Sequence, residues 1–539
     1  MADEIYKNIE DQDLTDLPTD NELVTLITNW EMESTSYHDE LKREQDLCEQ
    51  YYLGNQTKRD RVPAYLSNHV TNRIFEAIET AVPIITSKPP EFEVKPNTSS
   101  EEDVLLAEDI QNILSEEFDK LDVKEKLEVA ARHMLMFRFG VLKPFYNTET
   151  KNVDVRYIRP QLIYIPKYGQ NVHELPYVME KQNYTYQDLI DYFGEDKIKD
   201  KITSNTEEKE AGEPNKLYPI WEVHTNDWTA WKSGGNILKS EKNQYFDWGN
   251  GEKNFFEYAQ KPYVFLTTFT YGKGLVSSPS TVYQSVPIND AINTVIRKVI
   301  DHVVKMGNGA WLIDKETMTF EEAKERINNA AGIILHGNGV ARQDMVRRDA
   351  PVPLPGHFFS MLSSLNAQFD NLWGLHSTTR GERQQQETAT GRQLLKQADL
   401  GRMDMFVRTI ERAVDDLGDW FLQLMKMFYD QDKVYQVLTP EGAMRFINFK
   451  GSSIKKGFKV RVKAGSTLPT DREAEATRAV QLWQLGALDP ITLYRKLNYP
   501  NPEQMAEMLM KWKTGQLTQT PLPPPVVAGG GQSTATINQ

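Results

Sequence analysis

"STVYQSVPINDAINTVIRKVIDHVVKMGNG", from Ser280 to Gly309, is the stretch on which the fold turns. Ile288, Ile292, Val295, Val299 and Val303 recur at steps of three and four, which places them on one face of a helix. Gly307 and Gly309 bound that helix. A short module follows: a strand "AWLI", a helix "TFEEAKERINNA", a strand "GIILH", then "RQDMVRRDAPVPLP". Next comes a second helical segment, "GHFFSMLSSLNAQFDNLWGLH", whose one charged side chain is Asp370. A polar strip, "STTRGERQQQETAT", then opens directly into the longest helix of the chain, from about Thr390 to Phe428. Phe406, Ile410, Ala413, Leu417, Phe421, Leu424 and Phe428 keep a helical period along it. At 1.5 Å per residue it reaches roughly 55–60 Å unless Gly401 or Gly418 kinks it.

On the N-terminal side, an acidic arm up to about Pro18 precedes an amphipathic helical region with Leu23, Leu26, Trp30, Leu41 and Tyr51. A helix over Asn68 to Ile85 stops at "SKPP", where Pro89 and Pro90 forbid continuation. Ser100 with Asp103 three residues on is a capping signal. Behind it, Leu106, Ile110, Leu114 and Phe118 mark one helix face. A helix around Lys124 to Phe137 leads into a hairpin, "GVLKPFYN", "TETK", "NVDVRYI", with Val153, Val155 and Tyr157 expected to face inward. Residues 155–275 read as mixed strands and loops. Downstream, 431–465 is strand-rich, Asp471 to Lys513 is helical, and "TPLPPPVVAGGGQSTATINQ" is a Pro/Gly-rich tail expected to be disordered when isolated.

The 539 residues can bury large cores, and 39% hydrophobic with 26% charged residues is ordinary for a soluble globular protein. No stretch approaches the ~20 apolar residues that cross a bilayer, and the acidic N-terminus is no signal peptide. Cys48 is the only cysteine, so an intramolecular disulfide and a Cys-rich zinc site are excluded, and a reducing interior is the natural place of synthesis. The net charge of −15 is uneven: residues 1–50 carry fifteen acids against three bases, and the other 489 carry only −3. A free-standing DNA-binding protein would show a basic balance; nucleic acid handled by this chain is not held tightly.

Catalytic signatures are missing. "YGKGLVSS" lacks the glycine frame and hydroxyl of a phosphate loop, which argues against an ATP-driven motor. The nine histidines are scattered, with His302 read as a helix-surface residue. There is no GxSxG elbow, and Cys48 lies in an acidic helix that raises its pKa. The pairs Asp415–Asp416 and Glu101–Glu102 read as solvated helix faces, and "DWFLQLMKMFYD" as plain core. No catalytic residue, metal or cofactor is expected. A metal-dependent nuclease using scattered carboxylates is the competing catalytic reading.

The order of these segments resembles the portal (head–tail connector) proteins of tailed bacteriophages over most of residues 20–515. The carrying stretches are "NHVTNRIFEAIETAVPIITSKPPEFEVKP", "AARHMLMFRFGVLKPFYNTETKNVDVRYIRPQLIYIP", "GLVSSPSTVYQSVPINDAINTVIRKVID" and "ETATGRQLLKQADLGRMDMF". The resemblance implies an α+β fold, mainly helical with a mixed β wing and clip. The subunit would build a ring, a dodecamer, around a DNA channel. It implies an N-terminal arm at 1–19, wing at 20–275, stem helix 1 at 276–307, clip at 308–352 and stem helix 2 at 353–376. A tunnel loop at 377–391, a long wing helix with wing strands at 392–465, a crown at 466–515 and a tail at 516–539 complete it. The tunnel loop would present Arg380, Arg383, Gln384, Gln385, Gln386, Glu387 and Arg392 to DNA. Arg342, Arg347 and Arg348 would dock partners at the clip. The stem would use Ile288, Ile292, Val295, Val299 and Asp370, with Ile288, Ile292 and Val299 too apolar to stay uncovered by neighbouring copies.

The same resemblance implies a non-enzymatic role at the portal vertex of the capsid, after synthesis in the host bacterial cytoplasm; another virion structural protein, an adaptor or scaffold-associated component, is the alternative. The partners implied are double-stranded DNA passing without sequence specificity, the terminase large subunit, tail adaptors, and major capsid and scaffolding proteins; no membrane is involved. The acidic arm generates a first expectation. Removing residues 1–18 leaves the melting temperature within about 1 °C in calorimetry, because a segment of such charge is solvated rather than packed.

Overall fold

The computed structural model describes residues 17–56, 66–87, 92–96, 98–202, 217–246, 254–256, 259–269, 272, 274–306, 311–326, 334–338, 346–348, 353–375, 389–430, 433–438, 444–454, 458–462, 472–497, 499 and 501–514. Backbone contacts divide the chain into two units, Met1–Leu468 and Pro469–Gln539.

The first unit begins with helices α1 (Asp20–Tyr52) and α2 (Arg73–Ile85), strand β1 (Phe92–Lys95), and helices α3 (Glu101–Lys120) and α4 (Val123–Phe137). Strands β2 (Phe139–Asn147), β3 (Asn152–Ile158), β4 (Ile163–Tyr164) and β5 (Val178–Thr185) follow. After α5 (Tyr186–Phe193) and α6 (Glu195–Ile202) come β6 (Leu217–His224), β7 (Trp228–Ser233), β8 (Asn236–Lys242) and β9 (Val264–Thr267). Helix α7 (Thr281–Met306) leads to β10 (Trp311–Asp314), α8 (Phe320–Arg326), β11 (Ile334–Gly337) and β12 (Val346–Arg348). Helices α9 (His357–Trp373) and α10 (Ala389–Phe428) then precede β13 (Lys433–Leu438), β14 (Met444–Phe449) and β15 (Lys459–Val462). The second unit holds α11 (Arg472–Gln484), α12 (Pro490–Lys496) and α13 (Pro502–Lys513). The architecture is α+β, with sheets ordered β3-β2-β9, β4-β5-β6-β7-β8, β11-β10-β12, β13-β14 and β1-β15.

Local chemistry explains the boundaries. Thr19 and Glu22 close a capping box over α1, and the Ser100 hydroxyl accepts the Asp103 amide to start α3. The α2 helix starts at Arg73 rather than Asn68, because the Asn72 side chain caps it by accepting the Phe75 amide. Leu26 lies on the outer face of α1, beside the inward Leu23 and Ile27. In β3, Val153 and Val155 are buried, but Tyr157 is half exposed and Ile158 turns inward instead. The crown expectation of one helical stretch becomes three helices, with Asp489 and Asn501 each placed before a proline at the next helix start. The arm over 1–16 and the tail over 515–539 lie outside the described residues.

The main core forms around the second half of α10. Phe406, Ile410, Ala413, Leu417, Phe421 and Leu424 are buried against α2, α3, α4 and the β3-β2-β9 sheet. Each of these side chains larger than alanine contributes about 1.5–3 kcal/mol. Strand β15 crosses this helix at Gly418, where a Cβ would meet the buried Val460 side chain at 2.5 Å. The Asp415–Asp416 pair is therefore not a plain solvated face. Asp419 accepts the Val460 amide at 3.2 Å and Asp415 the Val462 amide at 2.5 Å. Alternate strand amides recur at ~6.6 Å and helix positions four apart at ~6 Å, so one helix face can cap one strand edge. Burial pushes Asp416 up to about 6 and Asp419 up to about 7.

Between the two larger sheets lies a buried ionic seam. Lys143 Nζ is 2.8 Å from Glu180 and 2.7 Å from Glu222, with Arg156 at 3.5 and 3.7 Å from the same acids. His224 joins Glu222 at 2.9 Å through Nε2 and Thr229 at 3.2 Å through Nδ1. Two cations balance two anions, so a charged imidazole would be in excess, and burial lowers the His224 pKa. A His lowered on folding contributes stability that is full above its ordinary value near 6.5 and declines as pH falls below it. Asp416 and Asp419, raised by burial, act in the opposite sense, so the comparison must isolate the imidazole. His224→Gln should flatten the wild-type loss of unfolding midpoint between pH 7 and 5, measured by urea titration. An unchanged pH slope would refute it.

Candidate functional site

Helix α7 carries two kinds of surface. Ile292 and Val295 are buried, and Ile288 and Val299 partly so, already within the subunit. That corrects the expectation that Ile288 and Ile292 wait for a neighbouring copy: α9 packs beside α7, and both side chains join the main core with Phe369 and Trp373. Trp373, at the end of α9, donates through Nε1 to Ser285 near the start of α7 at 3.2 Å, so the two helices run in opposite directions. Their far ends carry Val303 (58% exposed) and Val304 on α7 and Phe359 (60% exposed) and Met361 on α9.

A second stripe on α7 is polar. Asn289, Asn293, Arg297 and Asp301 repeat every fourth residue and so share one face. The Asn289 and Asn293 amides donate to Gln56 Oε1 at 2.6 and 2.7 Å. Asn293 Oδ1 accepts the Thr71 amide at 2.7 Å, Arg297 donates to the His69 carbonyl at 2.8 Å, and Asp301 accepts the Ser67 amide at 2.6 Å. Asp290, one position off the stripe, accepts the Tyr51 hydroxyl at 2.8 Å. Tyr51 and Gln56 at the end of α1, and Ser67, His69 and Thr71 before α2, are thus fastened along α7. Sequence reasoning missed these residues, although the four-residue polar repeat beside the apolar face was visible.

Asp370 is the partner of Arg73 at 2.6 Å, and that guanidinium also lies 5.3 Å from the Phe369 ring. The α9 helix ends at Gly374 in the left-handed conformation, φ +67°, where a side chain would be strained. The lone acid of α9 therefore ties it to α2.

The module between α7 and α9 is a β–α–β unit: β10 and β11 are parallel, α8 connects them, and β12 pairs antiparallel on the other side of β10. Ile313 and Ala323 are buried in it, while Phe320 and Leu335 are exposed. Arg347 and Arg348 stand on β12, their backbones opposite Leu312 and Trp311. Arg342 lies outside the described residues, as do Arg380, Arg383, Gln384, Gln385, Gln386 and Glu387; Arg392 is on α10 with its side chain outside the description. The structure therefore sets α7, with Ile288 and Ile292, beside α9, with Asp370, while the strip's side chains lie outside the described ones.

Elsewhere, Cys48 is buried against Ser280, and its thiol is pushed up to about 12, by burial first and by Glu44 in addition. Among the described residues no cluster of three or more His, Cys, Asp or Glu is placed to hold a metal. No helix among them is long and apolar enough to cross a membrane.

The model of the phage P22-like portal protein family matches residues 256–527. The chain belongs to this family. The match takes in α7, the β–α–β module, α9, the polar strip, α10 and the three helices of the second unit. No curated protein matches the chain. The family gives this subunit a phage portal role, as a structural protein of the virion.

Because Asn293 is buried and serves both Gln56 and Thr71, truncating it strands a backbone amide. Asn293→Ala should cost about 1–3 kcal/mol in chemical unfolding. A loss below about 0.3 kcal/mol would show that the stripe does not hold the segment.

Proposed function

We propose that this portal subunit forms a closed ring, a dodecamer, whose channel conducts double-stranded DNA at one capsid vertex during packaging and ejection. The observation that carries the reading is the α7–α9 pair, fixed to the rest of its unit at one end and apolar at the other. Val303, Val304, Phe359 and Met361 gain cover when copies stand side by side, and a ring closes every such contact. In this reading α7 and α9 are the stem, with the β–α–β module as clip. Residues 377–391 are the tunnel loop, α10 with the sheets forms the wing, and the second unit is the crown.

The strip's chemistry suits passage rather than capture. Arg380 and Arg383 are offset by Glu382 and Glu387, and Gln384, Gln385 and Gln386 are uncharged. Each retained phosphate contact must break as DNA advances, so few and weak contacts let the polyanion move. Arg342, Arg347 and Arg348 give the clip three cations in seven residues for docking the terminase large subunit and later the tail adaptors. The same reading includes contacts with capsid and scaffolding proteins and nucleation of the procapsid.

Two measurements test this. Electron microscopy of the purified protein should show rings with a central hole; a stable monomer at micromolar concentration would overturn the assembly. Proheads carrying a shortened 380–390 segment should assemble, yet package incompletely or leak genome. Gln384, Gln385 and Gln386→Lys should slow translocation, most at low salt. Full-length packaging and retention by the shortened variant would make the strip an ordinary connector.

A further inference from the structure

The second unit is short of core. Among its described side chains only Ala479, Leu493 and Ala506 are buried. Leu485 (80% exposed), Tyr499, Met508, Met510 and Trp512 (66% exposed) stand in solvent. Around them Leu482, Trp483, Tyr494, Met505 and Leu509 are only half-buried, so a unit of this size gains from further cover.

The chain itself carries a suitable cover. Beyond Thr514 comes a six-residue spacer, Gly515–Thr520, and then "PLPPPVV", Pro521–Val527, with no charge and four prolines in seven residues. Prolines fix φ and hold an extended left-handed helix, so such a segment loses little entropy on docking and fits aromatic-lined surfaces. The exit point lies at those surfaces. Lys513, next to Trp512, sits 5.0 Å from the Trp483 ring, which places the end of α13 beside the end of α11 and near Leu485.

Reach is sufficient. Seven steps from Thr514 to Pro521 span up to ~25 Å. Helices of 13 and 12 residues, α11 and α13, are ~20 and ~18 Å long. A tether of that length also keeps the segment at roughly millimolar effective concentration, so a weak contact suffices. The family match runs through residue 527, the last of the apolar run, and leaves the Gly/Ser/Thr-rich remainder outside.

We propose that Pro521–Val527 docks back on the Trp512–Met508–Leu485 surface of its own chain and completes the core of the second unit. This stands on the second unit alone and does not depend on the channel reading.

The test uses the assembled full-length protein with Met508 replaced by photoreactive benzoylphenylalanine, in a mixture of isotopically light and heavy chains. Illumination should yield cross-links from position 508 to peptides containing 521–527 of the same isotope. Pro521, Pro523, Pro524 and Pro525→Ser in one variant should abolish them, and should speed hydrogen exchange of the α13 amides at least tenfold. Cross-links only to helices of neighbouring copies, tail peptides of the other isotope, or exchange unchanged by the serine variant would each overturn intrachain docking.

Discussion

The largest core of the first unit is built on the second half of α10. Residues far apart in the chain meet there: Phe118 packs on Phe421 at 4.9 Å, Tyr245 on Trp420 at 5.4 Å and Tyr146 on Phe428 at 4.4 Å. The fully buried Gln423 donates to the Tyr245 carbonyl at 2.8 Å and accepts the Phe256 amide at 3.3 Å. A buried amide is tolerated only when both its ends are satisfied, so this one residue fixes the Tyr245 carbonyl and the Phe256 amide on the helix. Gly418 adds a steric condition, since β15 approaches where any side chain would collide. Helix, strand and loops are consequently one packing problem with one solution.

The α7 helix shows how such a body can carry an element whose far end is open. As far as Asp301 it is held on two sides, by α9 through apolar packing and by Gln56, Ser67, His69 and Thr71 through the asparagine, arginine and aspartate stripe. Side-chain amides at a four-residue repeat supply donors and acceptors to an extended backbone without needing a sheet, much as Asp415 and Asp419 do for β15. Past Asp301 the described contacts to that segment end, and Val303 and Val304 are exposed. The boundary between the held part and the open part is thus written in side-chain chemistry within one unbroken helix.

Much of this was legible in the sequence where the cause is local. The Ser100 cap, the turn before Asn152, the β–α–β module and the paired helices follow from spacing and turn chemistry. What escaped depends on distant partners. Asn293 reads as an ordinary polar helix residue until Thr71, 222 positions away, supplies an amide. Asp415 reads as solvated until Val462 arrives. Tyr157 fits the period of two, but the strand end turns its buried side toward Ile158, a twist that alternation alone does not encode. Leu26 fails for a related reason: a helix face one residue too wide was assigned to the core. Arg73, which holds Asp370, sits at a helix start, where a basic residue carries no local signal at all.

The same distinction bears on the polar strip. Its first anchor is firm, because Trp373 is buried and Asp370 is paired with Arg73. Its second is the start of a 40-residue helix whose later turns are locked in the core. With both ends held, doubling the length of a flexible connection changes closure entropy by only about 0.6 kcal/mol. Under the proposed function, with the strip as a loop, folding stability places almost no constraint on its length or on which residues fill it. A connector under no other demand could be a few residues of any polar kind. Three consecutive glutamines, with two arginines matched by two glutamates, are a composition that stability does not select. Under the proposed function the constraint comes from the passing polyanion: enough hydrogen-bonding capacity to touch a phosphate, and too little net charge to keep it.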